Sequence, residues 1–156
     1  MIGANAPFLL GMEVKYVYNR GIPNDYKKEL LLTKVVEKVS TQIDLPEQLI
    51  IEFSNLPQNN YGETVLDSRT KNRLRLNVNL GYKECVYVLT HELVHISQIN
   101  CGQLMYSRNG DYLWEGKVHC SFTELRNMCY NDYKKLPWEL DVVKKQQKIL
   151  DYLLKN

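Results

Sequence analysis

The sequence lacks several features that would assign it to a large class of proteins. None of its apolar runs approaches the roughly 18 consecutive apolar residues that a membrane-spanning helix needs. Its four cysteines form no C-x-x-C pair and no dense framework, so we expect reduced thiols that fill the core. The short apolar stretch at residues 6–12 has no positive charge before it, which argues against a signal peptide.

Strong net charge is also missing. The formal charge is +2, and lysines cluster only at Lys144, Lys145 and Lys148, in the pattern of a solvated helix face. We therefore expect no nucleic-acid partner, no membrane partner, and a location in the cytoplasm or export without a classical signal peptide. With 156 residues, 44% hydrophobic and 24% charged, residues 1–156 are most simply a single domain, with a monomer favoured.

The chain has only three histidines, and two of them lie in the pentapeptide His91-Glu92-Leu93-Val94-His95. This is an H-E-x-x-H pattern, in which two imidazoles four residues apart on a helix can reach one metal ion. Glu92 follows the first histidine and points beside the metal, where a carboxylate can take a proton from water. The pattern predicts a zinc site on a helix.

Periodicity and turn residues predict the elements around this motif. Apolar or alternating runs predict four strands, at residues 13–18, 49–53, 63–67 and 73–79. A helix is expected from residue 26 to about 41, capped by Asn24 or Asp25. The motif helix should begin near residues 81–83 and end near Asn100, with Gly102 just past its end. Its apolar stripe is Val86, Leu89, Leu93 and Ile96.

The C-terminal third predicts a small β-structure and then a helix. Residues 106–119 should form a β-hairpin or two short strands, with turns at Asn109-Gly110 and Glu115-Gly116. The insertion at residues 103–120 is also where we expect substrate specificity to be shaped. Pro137 opens a last helix that reaches about Leu154. The side of this helix expected to face the core carries Leu140, Val143, Gln147, Leu150 and Leu154.

A catalytic zinc ion needs a third protein ligand and an open position for water. A third histidine at the metzincin spacing is absent, because Cys101 stands in its place and Gln98 replaces the usual glycine. A carboxylate is therefore expected. Glu139, in the first turn of the helix that Pro137 opens, is the leading candidate, and Asp141 is the alternative. Positions two apart on a helix point to different faces, so only one of them should serve.

The segment H-E-L-V-H followed by Gln98, together with the distant P-W-E-L-D, resembles the gluzincin clan of zinc metallopeptidases. It is most similar to the small single-domain members called minigluzincins, although Val142 departs from the small residue they often carry there. The resemblance implies an α+β, zincin-like fold with a small mixed sheet packed on the motif helix. It also implies that a C-terminal helix supplies Glu139 as a ligand. The strand at residues 73–79 would then lie along the cleft, where an extended peptide could pair with it.

Motif and resemblance together favour a zinc-dependent peptidase. One Zn²⁺ ion would be held by His91, His95 and Glu139, and Glu92 would act as general base in hydrolysis of a peptide or protein substrate. Tyr133 is the first candidate for stabilising the oxyanion, because related peptidases often place a tyrosine near the metal.

Several alternatives remain open at this point. Tyr130 is a second oxyanion candidate, and His119 is either an ordinary hairpin residue or an active-site donor. Gln98 is either a surface amide or a partner of a zinc ligand. The alternative function is a catalytically silent zincin-fold module that binds a metal or a protein, and a coincidental motif in a structural protein is a third reading. The intact Glu92 disfavours the silent module, which has no use for this carboxylate.

Overall fold

A computed structural model describes residues 12–57, 59–66 and 69–155. Within these ranges the chain forms a mixed α+β fold with five helices and two sheets. The first elements are β1 (Glu13–Tyr18), α1 (Tyr26–Val39), β2 (Gln48–Ser54), β3 (Gly62–Val65) and β4 (Arg73–Asn77). They are followed by α2 (Tyr82–Asn100), β5 (Leu104–Tyr106), β6 (Asp111–Trp114), β7 (Lys117–Ser121), α3 (Phe122–Arg126), α4 (Tyr130–Tyr133) and α5 (Pro137–Lys155).

The first sheet has the strand order β1–β2–β4–β3. Strands β1, β2 and β4 are parallel, and β3 runs antiparallel to β4. Alternation places one apolar face of the sheet against helices α1 and α2. The buried side chains of this face are Leu49, Ile51, Phe53, Leu74 and Leu76, which join the main core. The four predicted strands are therefore present. Strand β2 extends one residue beyond each predicted end, β3 begins one residue early, and β4 ends at Asn77, two residues before its predicted end.

The position of the sheet edge differs from the prediction. The strand at residues 73–79 was expected to lie along the cleft, but β4 is internal because β2 and β3 pair with it on either side. That prediction is wrong, and β3 forms the edge beside α2. Gly62 allows this close approach, since a Cβ atom at that position would lie 2.6 Å from Val88 Cγ1 and 3.1 Å from the Arg75 carbonyl oxygen.

Helix α2 carries the motif and confirms its predicted placement. It begins at Tyr82 and ends at Asn100. Leu89, Leu93 and Ile96 are fully buried at helical spacing. Gly102 adopts a φ of +81° just past the helix end, a conformation that favours glycine.

Helix α5 begins at Pro137 as predicted, but the side expected to face the core is wrong. Leu140, Val143 and Leu154 are 56%, 67% and 87% exposed. The buried face instead carries Trp138, Glu139, Val142, Gln146 and Ile149. Helix α1 is capped by Asp25 as expected, and Leu32, Val35, Val36 and Val39 are buried on its inner face.

The second sheet is a meander of strands β5, β6 and β7. Gly110 has a φ of +83°, and Glu115 and Gly116 have φ values of +51° and +84°, so both predicted turns are present. Leu104 and Cys120 of this sheet pack into a second apolar cluster. This cluster also contains Ile99, Leu136 and Trp138, so the meander is packed between the ends of α2 and α5.

Three further predictions concern single residues and short stretches. All four thiols are free, with Cys85 and Cys120 buried as expected and Cys101 and Cys129 exposed. Among the described residues no helix is both long and apolar enough to cross a membrane. The stretch at residues 6–12 lies outside the described residues except for Met12, which is buried.

Candidate metal centre

Three side chains from two helices meet at one point. His91 and His95 lie one turn apart on α2, and Glu139 lies in the first turn of α5. Nε2 of His95 is 2.9 Å from Oε2 of Glu139, and Nε2 of His91 is 3.6 Å from Oε1 of the same carboxylate. One ligand atom from each residue lies within 4.8 Å of the other two, so this group could hold a metal ion. The sequence had placed these three residues together.

Asp141, the alternative ligand, lies outside this group. Its Oδ2 atom accepts a hydrogen bond from Gln98 Nε2 at 2.8 Å and pairs with Lys145 Nζ at 3.0 Å. The reason is helical geometry, because a residue two positions after Glu139 points to another side of α5. Trp138 fixes the rotation of α5 from within the second apolar cluster, where it is only 3% exposed.

Gln98 is fully buried and determines the tautomer of His95. Its Nε2 atom donates to the Trp138 carbonyl oxygen at 3.0 Å as well as to Asp141. The Oε1 atom of Gln98 is therefore the atom that lies 2.9 Å from Nδ1 of His95. Since an amide oxygen only accepts, Nδ1 carries the proton and the lone pair of neutral His95 is on Nε2. The interpretation of Gln98 as a surface amide is wrong, and its side chain contacts His95, one of the predicted ligands.

The imidazole of His95 and the carboxylate of Glu139 carry opposite charges. Burial alone would lower the pKa of His95, but the hydrogen bond to Glu139 and the charges of Glu139 and Glu92 outweigh it, and the pKa is raised. Burial alone would raise the pKa of Glu139, but hydrogen bonds and charges from His91 and His95 outweigh it, and the pKa is lowered. The pair is thus an imidazolium and a carboxylate, and a metal cation would take the place of the proton.

Glu92 lies beside the three possible ligands and lines the same cavity. Its side chain is buried, and its Oε1 atom accepts a hydrogen bond from Thr64 Oγ1 at 2.9 Å. Thr64 belongs to the edge strand β3, so this contact joins the strand to the motif helix. The carboxylate is therefore held by the edge strand, at the cavity that both histidines also line.

Tyr133 lies on the wall of the same cavity. Its hydroxyl donates a long hydrogen bond of 3.4 Å to Oε2 of Glu139. Burial of the hydroxyl, reinforced by the charge of Glu139, raises the pKa of Tyr133, so the group keeps its proton at neutral pH. Tyr130 also lines the cavity but is 74% exposed. His119 is exposed on β7 and is not part of the wall, which agrees with an ordinary hairpin residue.

An open cavity of about 620 Å³ surrounds the group. Strand β3 forms one wall, and His91, which also lines the cavity, is half-buried. Side chains of the second apolar cluster form another wall: Leu66, Ile99, Leu104, Tyr112, Leu125 and Trp138. Leu104 and Tyr112 come from the insertion at residues 103–120, so this part of the chain does shape the cavity.

Thr64 is the site residue that sequence reasoning missed. It lies in a short run, G-E-T-V, with no motif around it. Its contact with Glu92 depends on which strand forms the edge of the sheet, and this follows from pairing between distant segments.

No family model, curated protein or solved structure matches the chain.

Proposed function

We propose that the protein is a zinc-dependent peptidase with a zincin-like core, similar to the gluzincin clan. The observation that carries this proposal is the convergence of His91, His95 and Glu139 on one point in an open cavity, with Glu92 beside them. Two histidines and one glutamate form a ligand set of catalytic zinc sites in peptidases. The chemistry of the donor atoms therefore fits a zinc ion.

Each residue of the site has a distinct part in the proposed reaction. When bound, zinc would supply the Lewis acidity that activates water and polarises a substrate carbonyl. Glu92 takes the proton from the attacking water and returns it to the leaving amine nitrogen. Tyr133, which keeps its proton, donates a hydrogen bond to the carbonyl oxygen as negative charge develops there. Gln98 holds Nε2 of His95 toward the ligand position.

The edge strand supports a peptide as the substrate. The N–H of Asn77 donates to the Tyr61 carbonyl oxygen at 2.9 Å, which makes these two residues a hydrogen-bonded pair of the antiparallel ladder. Hydrogen-bonded and non-hydrogen-bonded pairs alternate along an antiparallel ladder. The backbone N–H and C=O groups of Gly62 and Thr64 therefore point away from β4. An extended peptide can pair with these outward-facing groups as an added strand. We therefore propose that a substrate backbone pairs along β3, next to Glu92.

Zinc content and cleavage of a peptide library test the proposal. The wild-type protein should hold about one zinc ion per chain and hydrolyse peptides. Glu92→Gln should keep the zinc and lower kcat by about 10²- to 10⁴-fold, because the general base is lost. His95→Ala should lose the zinc. Glu84→Gln, on the exposed first turn of the same helix, is the matched control and should behave as wild type.

The outcomes separate the functions considered above. A protein without zinc would overturn the peptidase and the metal-binding module together. Zinc without cleavage that depends on Glu92 would favour the catalytically silent module.

A further inference from the structure

We infer that Thr64 is a positioning residue that orients the Glu92 carboxylate from the edge strand. This inference rests on the proposed peptidase function and adds a residue outside the H-E-x-x-H motif to it. The hydroxyl of Thr64 hydrogen-bonds Glu92, so Thr64 would act through Glu92.

The hydrogen bond leaves one carboxylate oxygen available. Thr64 Oγ1 is 2.9 Å from Glu92 Oε1 and 3.3 Å from the Glu92 carbonyl oxygen. Across the described residues, no other side chain or backbone group donates to this carboxylate. In those residues, every side-chain oxygen that is shielded from solvent has a hydrogen-bond partner. Oε2 of Glu92 has no such partner, so it is not shielded and is open to the cavity. One oxygen is thus held by the protein, and the other is free to accept a proton from water.

Strand geometry explains how a threonine reaches the motif helix. Side chains alternate along β3, so Gly62 and Thr64 face α2 while Glu63 turns away to pair with Arg75 at 3.2 Å. The absence of a side chain at Gly62 brings the strand close to Val88 of the helix. At Thr64, two residues further along β3, the gap between the strand and the helix fits a side chain as short as threonine. A threonine hydroxyl then lies at hydrogen-bonding distance from Glu92.

The same residue faces both the base and the free edge of the sheet. Its hydroxyl binds Glu92. Its backbone N–H and C=O groups point away from β4, toward the side on which a substrate strand would pair. Thr64 therefore sets the distance between a bound peptide and the carboxylate that serves it. A glutamate has three side-chain torsions, and a general base must lie within hydrogen-bonding reach of the water it activates. Without the hydroxyl, Glu92 would sample orientations that do not reach this water.

Two substitutions test whether the hydroxyl is what counts. Thr64→Val keeps the shape and the strand preference but removes the hydroxyl, and Thr64→Ser keeps the hydroxyl but removes the methyl group. Thr64→Val should retain about one zinc per chain and a KM close to wild type, with kcat lowered about tenfold, the lower end of the effect of losing an outer partner. Thr64→Ser should recover kcat to within about threefold of wild type.

Thr33→Val is the matched control, because Thr33 Oγ1 also makes a half-buried hydrogen bond, to Tyr16 Oη at 2.7 Å, in helix α1. It should leave kcat unchanged. Thr64→Ala takes the place of Thr64→Val if circular dichroism shows that the valine variant does not fold.

The possible results are distinguishable. Wild-type kcat in Thr64→Val would overturn the inference, and so would a Thr64→Ser variant as slow as Thr64→Val, because packing would then explain the loss. Loss of zinc in Thr64→Val would also overturn it. A wild-type protein without hydrolysis that depends on Glu92 would overturn the proposed function and this inference with it.

Discussion

The side-chain amide of Gln98 donates to Asp141 Oδ2 at 2.8 Å and so joins the two helices that carry the possible metal ligands. Its carbonyl end accepts from Nδ1 of His95. A fully buried amide therefore links the end of the motif helix to the first turn of α5. The orientation of His95 depends on a residue that binds no metal itself.

Replacing Gln98 should weaken metal binding. Gln98→Met has a similar length but neither accepts from His95 nor donates to Asp141, so the imidazole loses its fixed tautomer and the two helices lose a link. We expect zinc affinity to fall about 10- to 100-fold, the usual cost of removing a partner of a ligand. Competition with a chromogenic chelator measures the change.

Gln147→Met is the control for this substitution. Gln147 is exposed on α5 and contacts only Asp151, at 3.0 Å, among the described residues. An unchanged zinc affinity in Gln98→Met would mean that His95 is held by other contacts.

Zinc binding should release a proton at neutral pH. The pKa of His95 in the metal-free group is raised by Glu139, so the imidazole stays protonated above its ordinary value near 6.5. A proton on Nε2 blocks the lone pair that the metal needs. Apparent zinc affinity should therefore increase as pH rises through this raised pKa.

Calorimetry at pH 7 in two buffers of different ionisation enthalpy measures the released proton. Glu139→Gln removes the charge that holds the proton on His95, so binding to that variant should be weaker and release less of it. Equal heats in both buffers for the wild type would contradict the prediction.

The buried Glu52 should stabilise the sheet in a pH-dependent way. Burial alone would raise its pKa, but hydrogen bonds from Ser54, Arg75 and Arg73 outweigh it, and the pKa of Glu52 is lowered. Because the pKa of Glu52 is lower in the folded chain than in the unfolded chain, its ionised carboxylate stabilises the fold above the unfolded pKa of about 4.3. This stabilisation is lost as pH falls through the pKa of the folded state. Glu52→Gln should cost roughly 1–2 kcal/mol at pH 7 and less at pH 3.

Urea denaturation at the two pH values gives these free energies of unfolding. Glu63→Gln is the control, because Glu63 is 41% exposed and makes a single contact with Arg75 at 3.2 Å. Its loss at pH 7 should stay under about 1 kcal/mol. A penalty for Glu52→Gln that does not depend on pH would show that the charge of Glu52 is not what stabilises the sheet.

The apolar wall of the cavity should determine one side-chain preference of the proposed peptidase. Leu125 of α3 is half-buried in this wall, next to the site. Leu125→Lys places a charge there, so cleavage of peptides with a large apolar residue at one position should fall about tenfold relative to acidic ones.

A peptide library read by mass spectrometry measures this ratio. Leu154→Lys is the control, since Leu154 is 87% exposed near the end of α5. A uniform loss of cleavage across the library in Leu125→Lys would indicate damage to the fold instead of a change in preference.

The parts of the site that follow from local sequence were predictable. Helix geometry predicts that two histidines one turn apart lie together, and the resemblance to the gluzincins favoured Glu139 over Asp141 as their partner. The three residues do meet. The buried face of α5 was not predictable in this way. Gln146 is polar but buried, because it donates to the Tyr87 carbonyl oxygen and to Thr90, so the apolar pattern points to the wrong side.

The edge of the sheet could not be predicted either. Strands β2 and β4 pair in parallel although β3 lies between them in the sequence, and this choice depends on long-range contacts. Alternation within β3 or β4 does not reveal which of them is internal. The role we infer for Thr64 depends on this pairing and was therefore hidden from the sequence.

The position of the meander between α2 and α5 has a consequence for flexibility. A metal ion on His95 and Glu139 would join the two ends of a segment that contains residues 96–138. Because the unfolded chain has no preformed site, the ion would bind only the folded segment and so stabilise it. Metal removal should therefore loosen strands β5 to β7 and raise their amide hydrogen exchange, while strands β1, β2 and β4, which lie outside this segment, stay protected.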